Sequence, residues 1–207
     1  MIAEAGLIAL WLAAALALLQ FALGAIGLRT GRQEYFAAIR SVTVAQGVFV
    51  ALSFLLLIWL FLRSDMSVRL VVMNSVSVKP FIYKFSGTWG NHEGSMLLWV
   101  TVMGVAGAFI ALFERSLKTR TLVATLAAQA FISLGFYAFL LISSNPFERM
   151  FPVPADGQGL NPLLQDPGLA FHPPTLYFGY VGLSVAFSFA VGAMITRDVD
   201  AAFAKAM

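Results

Sequence analysis

The sequence predicts an all-α polytopic membrane protein with about five transmembrane helices. Of its 207 residues, 60% are hydrophobic and only 11% are charged, and the mean hydropathy is +0.86. A soluble domain is roughly 45–50% apolar and about 25% charged, so this composition excludes a soluble enzyme. Intrinsic disorder is excluded for the same reason. The second observation is a set of five charge-free windows, each as long as the roughly 20 residues that cross a bilayer.

Charged residues set the limits of these windows, and turn residues and prolines shorten the helices within the last two. The windows are 5–28, 41–62, 94–113, 121–147 and 167–196. Residues 143–146 (SSNP) end the fourth helix near Ile142. Pro173 and Pro174 start the fifth, because proline is tolerated in a helix chiefly in its first turn. We therefore predict one transmembrane helical domain over residues 1–207. Its spans are about 5–28, 41–62, 95–113, 121–142 and 173–196.

The distribution of lysine and arginine predicts the orientation. Eight of the thirteen lie in three short segments, 29–40, 114–120 and the tail after Thr196, whereas 63–94 and 143–172 hold the other five. Because basic residues are enriched in cytoplasmic loops, we expect the short segments to face the cytoplasm. The N-terminus and the two longer connections, here called the outer loops, then face outward (the periplasm in a bacterium).

The outer loops and the fifth span carry further patterns. Val68–Val78 is rich in β-branched residues, which favours a short strand or hairpin in the first loop. The second loop has many Asn-Pro, Asp-Gly and Asp-Pro-Gly turn signals, which predict an ordered but irregular segment. Small residues recur every fourth position at Gly182, Ala186 and Ala190, and such a stripe lets a neighbouring helix approach closely.

The chain has two histidines and no cysteine, which limits its metal chemistry. Without cysteine there are no disulfides, thiolate metal sites or iron–sulfur clusters. His92 and His172 both lie at outer ends of predicted helices, and a neutral imidazole is a common metal ligand. Position alone leaves two interpretations open for each: an ordinary polar residue at a membrane boundary, or an iron ligand. His92-Glu93 begins like a zinc protease motif, but no second histidine follows at the required spacing.

Aromatic residues flank both histidines in the sequence. They are Tyr83, Phe85, Trp89 and Trp99 near His92, and Phe171, Tyr177, Phe178 and Tyr180 near His172. Tyrosine and tryptophan collect at membrane–water interfaces, and the same side chains would suit the walls of a pocket for a flat apolar cofactor such as haem. Composition leaves both interpretations open. No charged residue lies deep in a predicted span, which weighs against an ion-coupled transporter.

Three segments carry more distinctive motifs: Trp89–Trp99 (WGNHEGSMLLW), Ser144–Phe147 (SNPF) and Leu160–Tyr177 (LNPLLQDPGLAFHPPTLY). Together they resemble the N-terminal part of the CcmF family, the haem lyase subunit of bacterial System I cytochrome c maturation. The resemblance continues through Phe178–Gly182 and Ser184–Phe187, and it covers nearly the whole chain in order. It implies a haem-handling protein of the bacterial inner membrane, with a mitochondrial inner membrane the less favoured location.

The resemblance also implies a haem site. By motif match, His172 occupies the first external axial-ligand position for haem b. The neighbouring residues Phe171, Pro173, Pro174 and Tyr177 would support that ligand. In the family, the chaperone CcmE delivers the haem, which is joined through thioethers to apocytochrome c presented with CcmH and CcmI.

The Trp89–Trp99 segment is implied to have a different role. It contains an expected outer-surface motif consisting of Trp89, Gly90, His92, Glu93 and Gly94. These residues would shape the outer surface near the haem or the apocytochrome. The resemblance assigns no catalytic role to any of them.

The sequence departs from the family pattern in ways that bear on the haem site. Its four tryptophans do not form the tryptophan-rich (WWD) segment beneath which haem docks in the family. The second external histidine and both intramembrane haem histidines of the family also have no counterpart here, because His92 and His172 are the only histidines. The site is therefore expected to be shared with a further C-terminal part of CcmF or with a partner chain. Whether this chain alone is an enzyme stays open.

Two alternatives come from other functional classes. One is a non-catalytic membrane scaffold or assembly subunit of the same complex, which would bind partner helices through the Gly182, Ala186 and Ala190 stripe. The more remote one is a piece of a haem or small-molecule transporter, which would need polar groups at mid-membrane depth. Membrane lipid is an expected partner in each case. The formal charge of +3 is too small and scattered to indicate nucleic acid binding.

Overall fold

The computed structural model describes residues 1–206, except for the side chain of residue 169, and within that range it contains eight α-helices and no strand. The helices are α1 (Ile2–Thr30), α2 (Gln33–Leu62), α3 (Arg69–Asn74), α4 (Phe81–Gly87), α5 (His92–Phe113), α6 (Thr119–Ile142), α7 (Pro167–Thr196) and α8 (Ala201–Ala206). Five of them, α1, α2, α5, α6 and α7, are long and apolar enough to cross a membrane. The prediction of an all-α protein with five transmembrane helices is therefore confirmed.

A tight turn folds α1 back on α2. Gly31 ends α1 with a φ of 70° and a ψ of 8°, and its N–H donates to the carbonyl oxygen of Gly27 at 2.8 Å. Glycine adopts this left-handed conformation without the steric cost that a Cβ would add. Because α2 begins only two residues later, the two helices run antiparallel and pack along their lengths.

The remaining long helices complete the bundle around α2 and α6. α5 packs against α2, α6 packs against α1, and α7 packs against both α6 and α5. Buried apolar side chains form two clusters. The larger includes Leu57, Val71, Leu97, Tyr137 and Phe147, and the smaller includes Ile39, Leu126 and Phe189. The larger cluster joins the helices to the two outer loops, and we call that end of the bundle the outer end.

Polar side chains inside the spans are hydrogen-bonded to other helices. The Gln20 amide on α1 donates to the carbonyl oxygen of Leu126 on α6 at 2.8 Å. The Gln46 amide on α2 donates to the hydroxyl of Tyr137 on α6. The Ser188 hydroxyl on α7 donates to the Gln129 side chain on α6 at 2.6 Å. Such bonds stabilise helix pairs where water is absent.

The predicted strand or hairpin in Val68–Val78 is wrong, because this segment contains the short helix α3. Its one β-type pairing among the described residues is an isolated bridge between Val68 and Arg149. The valines of α3 are buried in the larger core cluster, and burial outweighs the strand preference of β-branched residues. The second outer loop contacts the C-terminal part of α3, where Gln158 N–H donates to the carbonyl oxygen of Val72 at 2.7 Å.

The predicted start of the fifth span at Pro173 and Pro174 is also wrong, because α7 begins at Pro167 and contains both prolines. Asp166 caps the helix by accepting a bond from Gly168 N–H at 2.6 Å, and Pro167 occupies the first helical position, where its missing N–H costs nothing. An earlier cap and proline thus start the helix, and Pro173-Pro174 interrupts its backbone bonding instead.

The first residue of the small-residue stripe of α7, Gly182, has open space beside it, whereas Ala186 and Ala190 are partly buried. A Cβ placed on Gly182 would meet no atom within 4 Å. The close approach of α7 to α6 falls at Gly192 instead, where an added Cβ would collide with Thr125.

Candidate functional site

Three segments meet at the outer end of the bundle: the turn into α5, the turn after α6 and the first turns of α7. These are the segments that contain the WGNHEG, SNPF and HPPTLY motifs. Hydrogen bonds and ring contacts join them in pairs, described below. Residues that are up to 88 positions apart in the chain (Trp89 to Tyr177) therefore lie together at the outer end of the bundle.

The turn into α5 is rigid and largely buried. Asn91 caps α5: its side-chain oxygen accepts from Gly94 N–H at 2.7 Å, and its amide donates to the carbonyl oxygen of Gly87 at 2.7 Å. A Cβ on Gly94 would collide with the carbonyl oxygen of Thr88, so the turn requires glycine at this position. Trp89 is only 5% exposed, and its ring packs edge-on against Phe85 at 4.7 Å.

The expected outer-surface motif is therefore only partly on the surface. Trp89 and Gly94 are buried, whereas His92 is exposed and Gly90 and Glu93 are partly exposed. Trp89 contributes to the core because its indole ring is enclosed by α4 and α2, where it also contacts Phe54.

His92 links α5 to the turn after α6. Its Nδ1 lies 3.0 Å from the Ser144 hydroxyl, and its ring packs edge-on against Phe139 on α6 with centroids 5.5 Å apart. Ser144 is buried, and Asn145 shapes the turn by accepting from Phe147 N–H at 3.0 Å. One ring nitrogen of His92 thus has a structural partner, which fixes the ring between α5 and the turn after α6.

Tyr177 links α7 to α5. Its hydroxyl donates to the Ser95 hydroxyl at 3.0 Å, and the Ser95 hydroxyl in turn donates to the carbonyl oxygen of Trp89 at 2.8 Å. The Tyr177 ring also contacts the Trp99 ring, with centroids 5.7 Å apart. Tyr177 is therefore connected through Ser95 to the buried turn before α5.

His172 lies on the exposed side of the first turns of α7. Its side chain is exposed, and no hydrogen bond or ion pair from its ring to any described residue is present. Phe171 is 68% exposed, and Pro173 and Pro174 are partly buried. Both ring nitrogens of His172 are thus available to an external group.

The two histidines do not form a paired site. Within residues 1–206, no hydrogen bond or ring contact joins His92 to His172. The described residues also contain no group of three or more histidine or acidic side chains that could hold a metal ion. Among the described residues, His172 offers an iron atom an imidazole that has neither ring nitrogen bonded.

The structure adds residues that sequence reasoning did not single out. These residues are Ser95 and Ser144. Each lies inside one of the three motif segments and bonds to a residue of another, Tyr177 and His92 respectively. A sequence signal exists for Ser95, because it is three residues after His92 and four before Trp99, which places all three on one side of α5. The bonding partners of both serines are distant in sequence, so pattern alone does not identify them.

A polar groove also opens at the outer end, with a volume of about 280 Å³. Its lining includes Arg69, Asn74, Asn91, Glu93, Asn145 and Glu148. Arg69 and Glu148 form an ion pair of 2.9 Å across it, which neutralises one of its two carboxylates. The groove offers both donors and acceptors to a polar chain such as a peptide backbone.

Comparison with known proteins gives a consistent family. The family model described as "Cytochrome C assembly protein" matches residues 89–206. The chain is 48% identical over 205 residues to the cytochrome c-type biogenesis protein CycK of Bradyrhizobium diazoefficiens, covering 99% of this chain and 31% of the relative. It is 40% identical over 206 residues to the cytochrome c-type biogenesis protein CcmF of Escherichia coli, covering 99% of this chain and 32% of the relative.

A solved structure has the same fold. The structure named "Cytochrome c Heme Lyase CcmF" is similar with a TM-score of 0.84 and 25% sequence identity, over 98% of this chain and 32% of that one. The chain thus spans about a third of the length of the relatives it matches. The resemblance stated from the sequence motifs is confirmed.

Proposed function

The chain belongs to the cytochrome c assembly protein family, and from this premise we propose that it acts in cytochrome c biogenesis as a component of a haem lyase. In this proposal it helps to hold haem b at the outer membrane face while the haem is attached through thioethers to apocytochrome c. His172 serves as one axial ligand, and the other haem ligands come from a further part of the protein or from a partner chain.

One observation carries the proposal. The matched region, residues 89–206, contains both histidines, and His172 has an exposed imidazole with no partner among the described residues. The names of the relatives agree with this function, since they are biogenesis proteins and a haem lyase.

The residues present fit a shared haem site. A single free imidazole provides one axial position, and the exposed ring of Phe171 beside it offers apolar area to a flat macrocycle. When bound, haem supplies the vinyl groups to which the thiols of the substrate add. The protein's contribution is to hold the iron through a neutral imidazole and to orient the haem.

The lack of cysteine suits this role. An outward-facing thiol on the chain could exchange with the cysteines of the apocytochrome and form mixed disulfides. With no thiol of its own, the chain leaves the substrate cysteines as the nucleophiles.

The proposal extends to partners and location. We infer that CcmE delivers the haem and that CcmH and CcmI present the apocytochrome, in the bacterial inner membrane. The polar groove beside His92 would contact one of these chains, and Glu93 would then belong to that surface.

The test is His172→Ala in the full-length protein with its native membrane partners. We expect a lower yield of holocytochrome c and a changed haem absorption spectrum, at an unchanged level of the chain, because an axial ligand is lost. Leu176→Ala is the matched control, since Leu176 is one turn further along α7 on the same side and is also exposed. An unchanged yield and spectrum in His172→Ala would contradict the ligand assignment.

A second candidate is a non-catalytic scaffold, and the open space beside Gly182 favours it. On this proposal, the Gly182, Ala186 and Ala190 stripe packs against a helix of a partner. The same cytochrome assay separates the two candidates: a scaffold predicts normal yield in His172→Ala, but loss of the complex in Gly182→Leu, measured by co-purification of the partner chains.

A further inference from the structure

We propose that Ser95 is a positioning residue for His172. The Ser95 hydroxyl, held between the Tyr177 hydroxyl and the Trp89 carbonyl, fixes the rotation of the first turns of α7 and so directs the imidazole. The inference rests on the proposed function, since it assumes that the direction of the His172 ring matters for haem.

The first turns of α7 are weakly held by their own backbone. Pro173 and Pro174 lack the N–H groups that would bond to the preceding turn, so two consecutive helical hydrogen bonds are missing. Thr175 adds a local bond, because its hydroxyl lies 2.8 Å from the carbonyl oxygen of His172 and 3.1 Å from that of Phe171. This local bond ties His172 to its own helix, but it does not fix the turn relative to the rest of the bundle.

Tyr177 supplies a hydrogen bond from this part of α7 to another helix. It is five residues after His172, beyond both prolines, and its hydroxyl reaches Ser95 on α5 at 3.0 Å. The packing of its ring against Trp99 adds a second contact with α5. The Ser95 hydroxyl therefore restrains the rotation of α7 at this level, together with the packing of Tyr177 on Trp99.

Ser95 is itself held by a rigid group. Its hydroxyl accepts one bond and donates one, so both roles of the oxygen are used in a fixed direction. The acceptor is the backbone carbonyl of Trp89, whose side chain is buried against Phe85 and Phe54. The chain of bonds thus connects the exposed end of α7 to the core.

A small rotation of α7 would move the His172 ring far enough to affect metal binding. Side chains extend a helix to a radius of roughly 5–6 Å, so rotating α7 by about 20° would move the His172 ring by about 2 Å. Metal–ligand distances are held to about 0.2 Å. A modest rotation would thus be enough to remove the imidazole from an axial position.

The test compares four variants of the full-length protein with its partners: Ser95→Ala, Ser95→Thr, Tyr177→Phe and the control Tyr180→Phe. Tyr180 is also on α7 but is 61% exposed, and Tyr177→Phe keeps the ring that packs on Trp99. We expect Ser95→Ala and Tyr177→Phe each to reduce bound haem about fivefold, the change that loss of one ordinary hydrogen bond produces. The electron paramagnetic resonance spectrum of the ferric haem should also shift, because it reports the orientation of axial imidazoles.

Further comparisons separate positioning from general loss of folding. Ser95→Thr retains a hydroxyl and should restore haem content and spectrum, and the double variant Ser95→Ala/Tyr177→Phe should be no worse than either single variant. Immunoblots of the membrane fraction should show equal amounts of every chain.

The contradicting outcomes differ for the two proposals. Normal haem content and spectrum in Ser95→Ala and Tyr177→Phe, together with a loss in His172→Ala, would overturn the positioning role and leave the proposed function intact. A normal spectrum in His172→Ala would overturn the proposed function, and the positioning role with it.

Discussion

Lys79, in the first outer loop, is an unusual residue because it is a lysine that is only 7% exposed. Its ammonium donates to the carbonyl oxygen of Asn74 at 2.9 Å, and within residues 1–206 no carboxylate lies within ion-pair distance of it. Burial, and after it the positive charge of Lys84, lower the pKa of Lys79 from 10.5 to about 8. Burying a cation with one neutral partner opposes folding.

This burial predicts a pH dependence of stability. Between pH 8 and 10.5 the unfolded chain binds more protons at Lys79 than the folded chain does, so the contribution of Lys79 to the free energy of unfolding should rise with pH across this window. Lys79→Met should remove that rise, because the methionine does not titrate. The measurement is thermal unfolding of the detergent-solubilised protein at pH 7.5 and 10. The exposed Lys205→Met is the control and should keep the wild-type difference; an equal rise in Lys79→Met would contradict the argument.

At the scale of elements, the crossing of α2 and α5 depends on two glycines. A Cβ on Gly47 would lie 2.7 Å from the carbonyl oxygen of Gly104, and a Cβ on Gly104 would lie 2.7 Å from Val50. The two backbones therefore approach each other more closely than larger residues would permit, as is common between transmembrane helices.

Gly47→Val should therefore separate α2 from α5. We expect a loss of about 1–3 kcal/mol in the free energy of unfolding, the usual cost of overpacking, measured by unfolding in mixed detergent micelles. Gly135→Ala is the matched control on α6, because a Cβ there meets no atom within 4 Å. It should be neutral or stabilising, since alanine has the higher helix propensity. Equal effects of the two substitutions would show that the crossing is not tight.

The two elements predicted wrongly, α3 and the start of α7, have a common explanation. In α3 the β-branched residues indicate a strand, yet the segment forms a short helix whose valines are buried in the larger core cluster. In α7 the paired prolines indicate a start, yet the Asp166 cap determines it. In α3 the burial of the valines outweighs their strand preference. In α7 a cap earlier in the chain outweighs the start signal of the two prolines.

At the scale of the whole molecule, the two outer loops form one connected layer. Arg69 N–H donates to the carbonyl oxygen of Glu148 at 2.9 Å, and Met150 N–H donates to that of Ser67 at 3.0 Å. Arg149 also bonds Glu4 at the start of α1. The N-terminus is thereby tied to both loops, and the surface that carries His172 rests on an ordered base.

The orientation of this layer is testable by labelling. Because the chain has no cysteine, Ala155→Cys and Ala204→Cys each create a single thiol at an exposed position, at opposite ends of the bundle. The distribution of basic residues predicts that an impermeant maleimide labels Ala155→Cys in intact spheroplasts, and Ala204→Cys only after permeabilisation. The reverse pattern would place the face that carries His172 on the cytoplasmic side and contradict the proposed function.

The sequence by itself determined the number of spans, because a bilayer leaves a long apolar segment little choice but to form a helix that satisfies its own backbone. It also determined the family, because the motifs around His92 and His172 are long and specific. Only the tertiary structure decided how those motifs meet. That Trp89 is core while His172 is free, and that Ser95 and Ser144 join segments of distant sequence, follows from packing between helices. Such packing depends on which residues lie opposite one another, and hydropathy does not encode this.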